Sequence, residues 1–428
     1  MKTYDAAIIG GGLAGLTAAI DLAKGNKSVV LIEKASQCGG RAMTIDKNGV
    51  LLNLGAHALY KSGPAENILL ELGIRIDGGS PSAKGTAIWK NKVVSLPHLL
   101  WTELSWPGKV EFGKIMLKLK KMDTNTLEIM TLRDWAEKEI HSPMVRHIFY
   151  ALCRTATYTQ DPDYLLVGPV LKQLQRSITN GVLYVNGGWQ TIVDQLRELA
   201  IISGVEIMND KKVVEIEYDQ QVTGVIFSNG EKISTANVIS TVSPGELYRL
   251  IRGAEKTSIL TWKNQSRPAM AACLDLCLKK LPVEGRNVSI GIDQPVFFTN
   301  QSKYSRLSDN GSLVMHLVKY NGAAGGDPIE DQKFLEATMS MLHPGWEKEV
   351  VAKQYLPNMT VANDYLHMAR TDRFPGPVVP EIDGLYIAGD WASHGEFLAD
   401  AVMDSARRAS LTVLKDLEEQ KNRPLPIS

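Results

Sequence analysis

Read for the spacing of its apolar residues, the chain opens on a short β-prone run, Ala6-Ala7-Ile8-Ile9, with no polar alternation. Such a run fits a strand of a parallel sheet covered on both faces. Leu16, Ala19, Ile20 and Ala23 then recur at helical spacing, and residues 28–32 predict a second strand. Further on, a helix is expected near 191–200 and strands at 205–207 and 213–216. Residues 222–239 look like a hairpin with its turn at Asn229-Gly230, running into a strand that ends at Ser240. Residues 271–278 and 312–320 predict two more strands, and residues 80–180 read as mostly helical. From Gly384 to Ala406 the pattern is apolar strand, polar loop, helix. The last residues, 418–428, are polar and contain proline, so a frayed tail is expected there.

At 428 residues the chain is long enough for two domains. Its 44% hydrophobic and 22% charged content is that of a soluble globular protein. The 47 basic residues balance the 47 acidic ones, so no global field draws nucleic acid, and a nucleic-acid function is not expected. Cys38, Cys153, Cys273 and Cys277 form no CxxC pair and no cluster with zinc-ligand spacing, which reads as buried free thiols and no metal. A strand that starts almost at once leaves no room for a signal peptide, and no apolar run approaches a membrane span. A cytoplasmic protein, attached at most to a membrane surface, is the expectation.

The first strand stops at Gly10-Gly11-Gly12-Leu13-Ala14-Gly15, a G-x-G-x-x-G turn that opens the first helix. Gly10 permits the tight turn, Gly12 lets a pyrophosphate approach the backbone, and Gly15 lets helix pack on strand. The helix start offers free N–H groups and a positive dipole end to the phosphates. Glu33 ends the second strand, eighteen positions after Gly15, where a carboxylate can take the hydroxyls of a ribose and would repel a 2′-phosphate. A glycine turn alone is weak evidence; strand, helix, second strand and acid in register predict a dinucleotide site.

Three further blocks separate FAD from NAD. Gln37-Cys38-Gly39-Gly40-Arg41-Ala42 follows the acid, and Asn53-Leu54-Gly55-Ala56-His57 comes next. Much later stands GLYIAGDWASHGEFLADAVMDSA, containing Gly389-Asp390. With these, the chain resembles the FAD-dependent amine oxidase and phytoene desaturase superfamily, closest in motif style to the phytoene and carotenoid desaturase branch. A central YVNGGW segment, Tyr184 to Trp189, agrees with it. The resemblance covers both ends and the centre, in order. It implies an α/β fold, a Rossmann-like (GR2-type) FAD-binding domain interleaved with an α+β substrate-binding domain. The FAD-binding parts would be 1–79, 181–255 and 371–428, and the substrate-binding parts 80–180 and 256–370.

The cofactor-binding residues the resemblance implies are Gly10, Gly12, Leu13, Ala14, Gly15, Glu33, Lys34, Gly40, Arg41, Gly55, Ala56, His57, Val213, Gly389, Asp390, Leu398 and Ala399. Val213 and Ile216 fit the V-x-x-I element that contacts the adenine. Arg41 would neutralise pyrophosphate charge, and Asp390 would take hydrogen bonds from the ribityl chain, or else simply cap a turn. The helix near Leu398 would aim its N–H groups at the flavin pyrimidine edge. Asn53, where an acid is common, and Ala406, where glycine is common, depart from the pattern.

Flavin oxidation asks little of side chains beyond holding a C–H bond over N5. No Ser/His/Asp or paired-carboxylate set assembles from the sequence; His57 and His394, inside the flavin motifs, are the catalytic candidates. Amine oxidases of the superfamily usually bring a lysine near N5 from the substrate-domain sheet, and strand 271–278 carries none. The expected chemistry is therefore hydride removal from an apolar, isoprenoid-like small molecule. Amine or porphyrinogen oxidation is the nearest alternative. A non-catalytic prenyl-protein binder on the same fold, as in the Rab guanine-nucleotide dissociation inhibitors, is a second, and a plain NAD enzyme a third. The electron acceptor, whether oxygen, quinone or NAD(P), is left open. Residues 97–122 hold Trp101, Trp106 and five lysines around an apolar face of Phe112, Ile115, Met116 and Leu119. That face reads either as a lid packed into the substrate domain or as a peripheral membrane contact.

Overall fold

The computed structural model describes residues 2–81 and 85–422. Two sheets organise it. In the first, five parallel strands run in the order Glu206–Met208, Val29–Ile32, Ala6–Ile9, Val238–Ser240, Leu385–Ile387. Three stretches of chain far apart in sequence thus meet in one sheet. Ala6, Ala7, Ile8 and Val29 to Ile32 are buried on both faces, which is why these strands are unbroken apolar runs.

The first helix, Leu13–Lys24, and the last, Leu398–Asn422, pack on each other and on one face of that sheet, through Leu16, Ile20, Met403, Ala406 and Ala409. Ala406, fully buried in that contact, is small enough to stand where glycine was expected. The last helix runs on to Asn422, so 418–422 are helical and not frayed; the remaining tail, 423–428, lies outside the described residues. Its buried face and the Tyr386 hydroxyl donating to Asp416 at 2.6 Å hold the helix, which then propagates through a polar sequence.

The second sheet has seven strands, in the order Val350–Ala362, Ala269–Leu278, Leu313–Tyr320, Val296–Asn300, Val288–Gly291, Thr86–Trp89, Lys92–Ser95. Its strand Ala269–Leu278 sends alternate side chains into two different cores. Leu274, Leu276 and Leu278 face the helix Pro328–Leu342 through Leu335, Met339 and Leu342. Ala271, Cys273 and Cys277 face the other way, towards the hairpin Thr44–Lys47/Val50–Asn53 and the loop that follows it. Helices between 96 and 180 form a separate apolar cluster beside this sheet.

In that cluster the helix Trp106–Lys121 buries Ile115 and Leu119, with Phe112 and Met116 packed alongside, so the face singled out in the sequence is a packed one. A different stripe is left outside. Trp101, in the preceding helix Leu96–Thr102, is 72% exposed and Trp106 73%, with Val110 and Leu117 exposed further along. Lys109 lies over the Trp101 ring, 4.1 Å from its centroid. Among the described residues no helix is long and apolar enough to cross a membrane.

Candidate functional site

The glycine turn is built as its residue types require. Gly10 has φ +107°, and a Cβ on Gly15 would stand 1.9 Å from the Gly10 carbonyl oxygen. Gly12 differs: a Cβ there would meet nothing nearer than Gly39 O at 3.8 Å, so the space above the turn is open. The first helix has Gly12 at its N-cap and no side chain capping it. Leu13, Ala14 and Gly15 therefore begin a helix whose N–H groups are free for an anion.

Gly39 N donates to Gly11 O at 2.8 Å, which docks the Gly39-Gly40-Arg41 turn against the first one. Gly39 and Gly40 both have positive φ, and a Cβ on Gly40 would find only Gly12 Cα, 3.8 Å away. The two glycine turns meet backbone to backbone, with no side chain between them. Glu33 is buried beneath, accepting from Gly11 N at 2.7 Å and Ala35 N at 2.8 Å. Each carboxylate oxygen keeps a lone pair for a further donor. Asp210 N donates to Ala35 O and Lys211 N to Glu33 O, both at 3.0 Å, bringing Val213 to the same corner. Lys34 points out to Glu246 at 3.4 Å, on the surface.

Arg41 and Asp390, 349 residues apart, form an ion pair at 2.6 Å, and the same Arg41 Nη1 donates to Val361 O at 2.7 Å. Asp390 is buried and collects four donors: Arg41 Nη1, Asn363 N, Asn363 Nδ2 and Trp391 N. Its role here is to join the arginine turn to the C-terminal motif. Gly389, with φ +130°, exchanges hydrogen bonds with the Ser405 hydroxyl of the last helix. Leu398 begins that helix at φ +55°, followed by Ala399.

Of the two histidines, His57 sets Nδ1 2.9 Å from Gly55 O and Nε2 3.0 Å from Arg41 O. Burial holds its pKa below the ordinary value, so the ring is neutral and donates one of these bonds. It ties the Gly55-Ala56 loop to the arginine turn. His394 packs against the Phe374 ring at 5.2 Å and leaves a buried Nε2 unpartnered; burial, then Arg408, lowers its pKa. Asn53, which departs from the family pattern, is a buried junction. Its Oδ1 accepts from Thr44 Oγ1 at 2.7 Å and Trp189 N at 3.0 Å.

Several residues escaped the sequence reading. Asp400, in the first turn of the last helix, accepts from Ala65 N at 2.9 Å and from Arg176 at 2.7 Å, and Arg176 also reaches Glu396 at 2.9 Å. Burial pushes the Asp400 carboxyl up to about 6 in spite of that arginine. In the second sheet, Cys273, Asp275 and His316 bring their ligand atoms within 4.8 Å of one another, fully buried. The signal was present as a lone Asp in AACLDLCL and a lone His in SLVMHLVKY; only strand register pairs them. The polar cavity of about 480 Å³ lined by Asp46, Arg75, Asp77, Asn186 and Arg306 touches neither group.

A family model described as flavin containing amine oxidoreductase matches residues 13–266, more than half of the chain. A 15-cis-phytoene desaturase from an Oncidium hybrid cultivar is 21% identical over 98% of this chain and 79% of its own length. A neurosporene-forming phytoene desaturase of Rhodobacter capsulatus is 24% identical over 59% of this chain, which spans 55% of that protein. The match to tobacco protoporphyrinogen oxidase, 21% identical, covers 45% of this chain and 36% of that protein. Among solved structures, an oxidoreductase from Methanosarcina mazei superposes with TM-score 0.76 at 21% identity, covering 95% of this chain and 99% of that one. A redesigned putrescine oxidase gives TM-score 0.76 at 13% identity, covering 97% and 99%. At these identities the solved structures establish the fold.

Proposed function

The chain belongs to the flavin containing amine oxidoreductase family and is an FAD-dependent oxidoreductase, and from that premise we propose that it dehydrogenates an apolar small molecule. The chemistry FAD supplies when bound is acceptance of a hydride at the flavin N5. The residues present fit such a group: two docked glycine turns present bare backbone, with room at Gly12 that a Cβ would fill, beside an uncapped helix start. In this reading Gly10, Gly12, Leu13, Ala14, Gly15 and Gly40 hold the pyrophosphate, with Arg41 at its flank. Glu33 and Lys34 flank the ribose, and Val213 meets the adenine. Gly55, Ala56 and His57, Gly389 and Asp390, and Leu398 and Ala399 form the flavin end.

The observation that carries the substrate class is the buried apolar patch packed on Ala56 of the Asn53–His57 loop. Ala271, Cys273, Phe297, Val318 and Tyr320 make one buried patch with Ala56, Tyr158, Leu356 and Met359 packed on it. No lysine stands on this face of strand Ala269–Leu278; Lys279 and Lys280 come after its end and are exposed. Apolar and aromatic side chains at the flavin end would favour an apolar body and hold its C–H bond by shape. The test is anaerobic bleaching of the yellow holoprotein by a polyprenoid, a porphyrinogen and a primary amine. Bleaching by the polyprenoid is expected, and bleaching by the amine alone would overturn the substrate class.

An anionic membrane surface is the second part of the proposal. The stripe Trp101, Trp106, Val110 and Leu117 lies outside, among Lys109, Lys114, Lys120 and Lys121. Tryptophans with flanking lysines match the interface and charge of anionic lipid, and a substrate dissolved in lipid would be met there. The protein should co-float with phosphatidylserine vesicles and lose this with Trp101→Ala/Trp106→Ala. Equal flotation of the double variant would refute it.

A further inference from the structure

The seven-stranded sheet carries a row of polar side chains that the flavin grip does not use. Strand register sets Thr299, His316, Asp275 and Gln354 side by side on four neighbouring strands. His316 Nδ1 lies 2.5 Å from Asp275 Oδ1. The same oxygen accepts from the Cys273 thiol at 3.1 Å, and Oδ2 accepts from Gln354 Nε2 at 3.0 Å. Both His316 and Asp275 have 0% exposure. Burial, and then Asp275, hold the Cys273 thiol well above its ordinary pKa, so it is a donor in this network and not a thiolate ligand for a metal.

With Nδ1 turned to the carboxylate, Nε2 is the ring nitrogen left outside that network. His316 Nε2 is buried and has no hydrogen-bond partner. An unmet buried polar atom is a penalty that an apolar residue at this place in the sheet would avoid.

The row lies on the face turned to the flavin loop. Gln354 Nε2 also reaches Asn53 O at 3.3 Å, which ties the row to the strand that leads into the Gly55–His57 loop. Residues two along on the same face, Cys273 and Val318, belong to the patch that packs Ala56 and Tyr158. Met315 and Leu317, on either side of His316, point to the opposite core.

Dehydrogenation removes a hydride and a proton from neighbouring atoms, and the flavin takes only the hydride. Resting on the dehydrogenase reading above, we propose that His316 is the catalytic base of this reaction and Asp275 its positioning residue. The Nε2 lone pair forms an N–H bond with the proton on the atom next to the oxidised carbon. The electron pair of the broken bond becomes the new π bond, as the hydride leaves the oxidised carbon for the flavin. The substrate is oxidised by two electrons, the flavin is reduced by two, and the imidazolium formed is held by the carboxylate.

The test uses the FAD-loaded protein and its His316→Gln and Asp275→Asn variants. Nitrogen-15 histidine NMR of the wild type should show one ring in the Nδ1–H form with a bare Nε2, lost in H316Q and changed in D275N. With the compound of the panel above that bleaches the wild type best, H316Q should keep its flavin and its apparent dissociation constant within threefold. Its limiting bleaching rate should fall about 10²–10⁴-fold, and D275N should fall in the same parameter. A protonated Nε2 in the wild type, or H316Q bleaching within threefold of the wild-type rate, overturns the proposal. A wild type that no compound bleaches overturns the dehydrogenase reading and this proposal with it. That result is distinct from His316 failing alone, in which wild type and H316Q bleach equally.

Discussion

Adding one methyl group at Gly12 and, separately, at Gly15 pulls apart two jobs that share a motif. Gly12 has φ −79°, which any residue adopts, and its Cβ would have no heavy atom nearer than 3.8 Å. Gly12→Ala should therefore leave the apoprotein intact, or more stable by about 0.4–1 kcal/mol through the unfolded chain. The methyl would stand in the gap over the turn and displace a phosphate oxygen from a backbone N–H. Losing one such charge-assisted bond costs about 1.5–3 kcal/mol, roughly a 10- to 100-fold weaker Kd for FAD. At Gly15 the Cβ would lie 1.9 Å from Gly10 O and 3.1 Å from Leu31 Cδ1. Strand and helix would have to part, so Gly15→Ala should destabilise the apoprotein by about 1–3 kcal/mol or more. Urea melts of the apoproteins and FAD titration followed by flavin fluorescence separate the two. Gly12→Ala binding FAD within threefold of wild type would refute the turn as the pyrophosphate site. Gly15→Ala apoprotein as stable as wild type would refute the packing argument.

Glu33→Ala removes two buried acceptors, for Gly11 N and Ala35 N. It should lower apoprotein stability by about 1–3 kcal/mol and weaken FAD retention, read as the flavin-to-protein ratio after gel filtration; an unchanged ratio would count against the ribose role. Asp400 is held at about 6, above its ordinary 3.8, because burial outweighs Arg176. Folding thus favours its protonated form. That contribution is full below about pH 4 and is lost as pH rises through about 6, a difference of roughly 3 kcal/mol. Asp400→Asn, always neutral, should gain in melting temperature relative to wild type from about pH 5 to about pH 8, and a constant difference across that window would contradict the burial argument.

What could be read from the sequence was what is decided within a few residues. The Gly10–Gly15 turn is legible because missing side chains, a helix start and a strand end act locally, and the structure builds that tight turn and uncapped helix start. The strands Ala6–Ile9, Ala269–Leu278 and Leu313–Tyr320 were legible because burial on two faces leaves a run that is apolar or nearly so. The lysine-rich helix was legible as amphipathic, yet the sequence left open whether its apolar face met protein. The structure buries Ile115 and Leu119 and leaves Trp101 and Trp106 outside, a division set by which neighbours the helix finds.

The sequence by itself determined the glycine turn, the acid at the second strand's end and the motifs that mark a flavin family, since each is a short-range demand of backbone and charge. Only the tertiary structure decided which distant groups share a charge. Arg41 meets Asp390 across 349 residues, and His316 meets Asp275 across 41. A lone Asp in an apolar strand is unreadable until register supplies its partner, because what keeps a buried carboxylate is the donors brought to it and not its own neighbours in the chain.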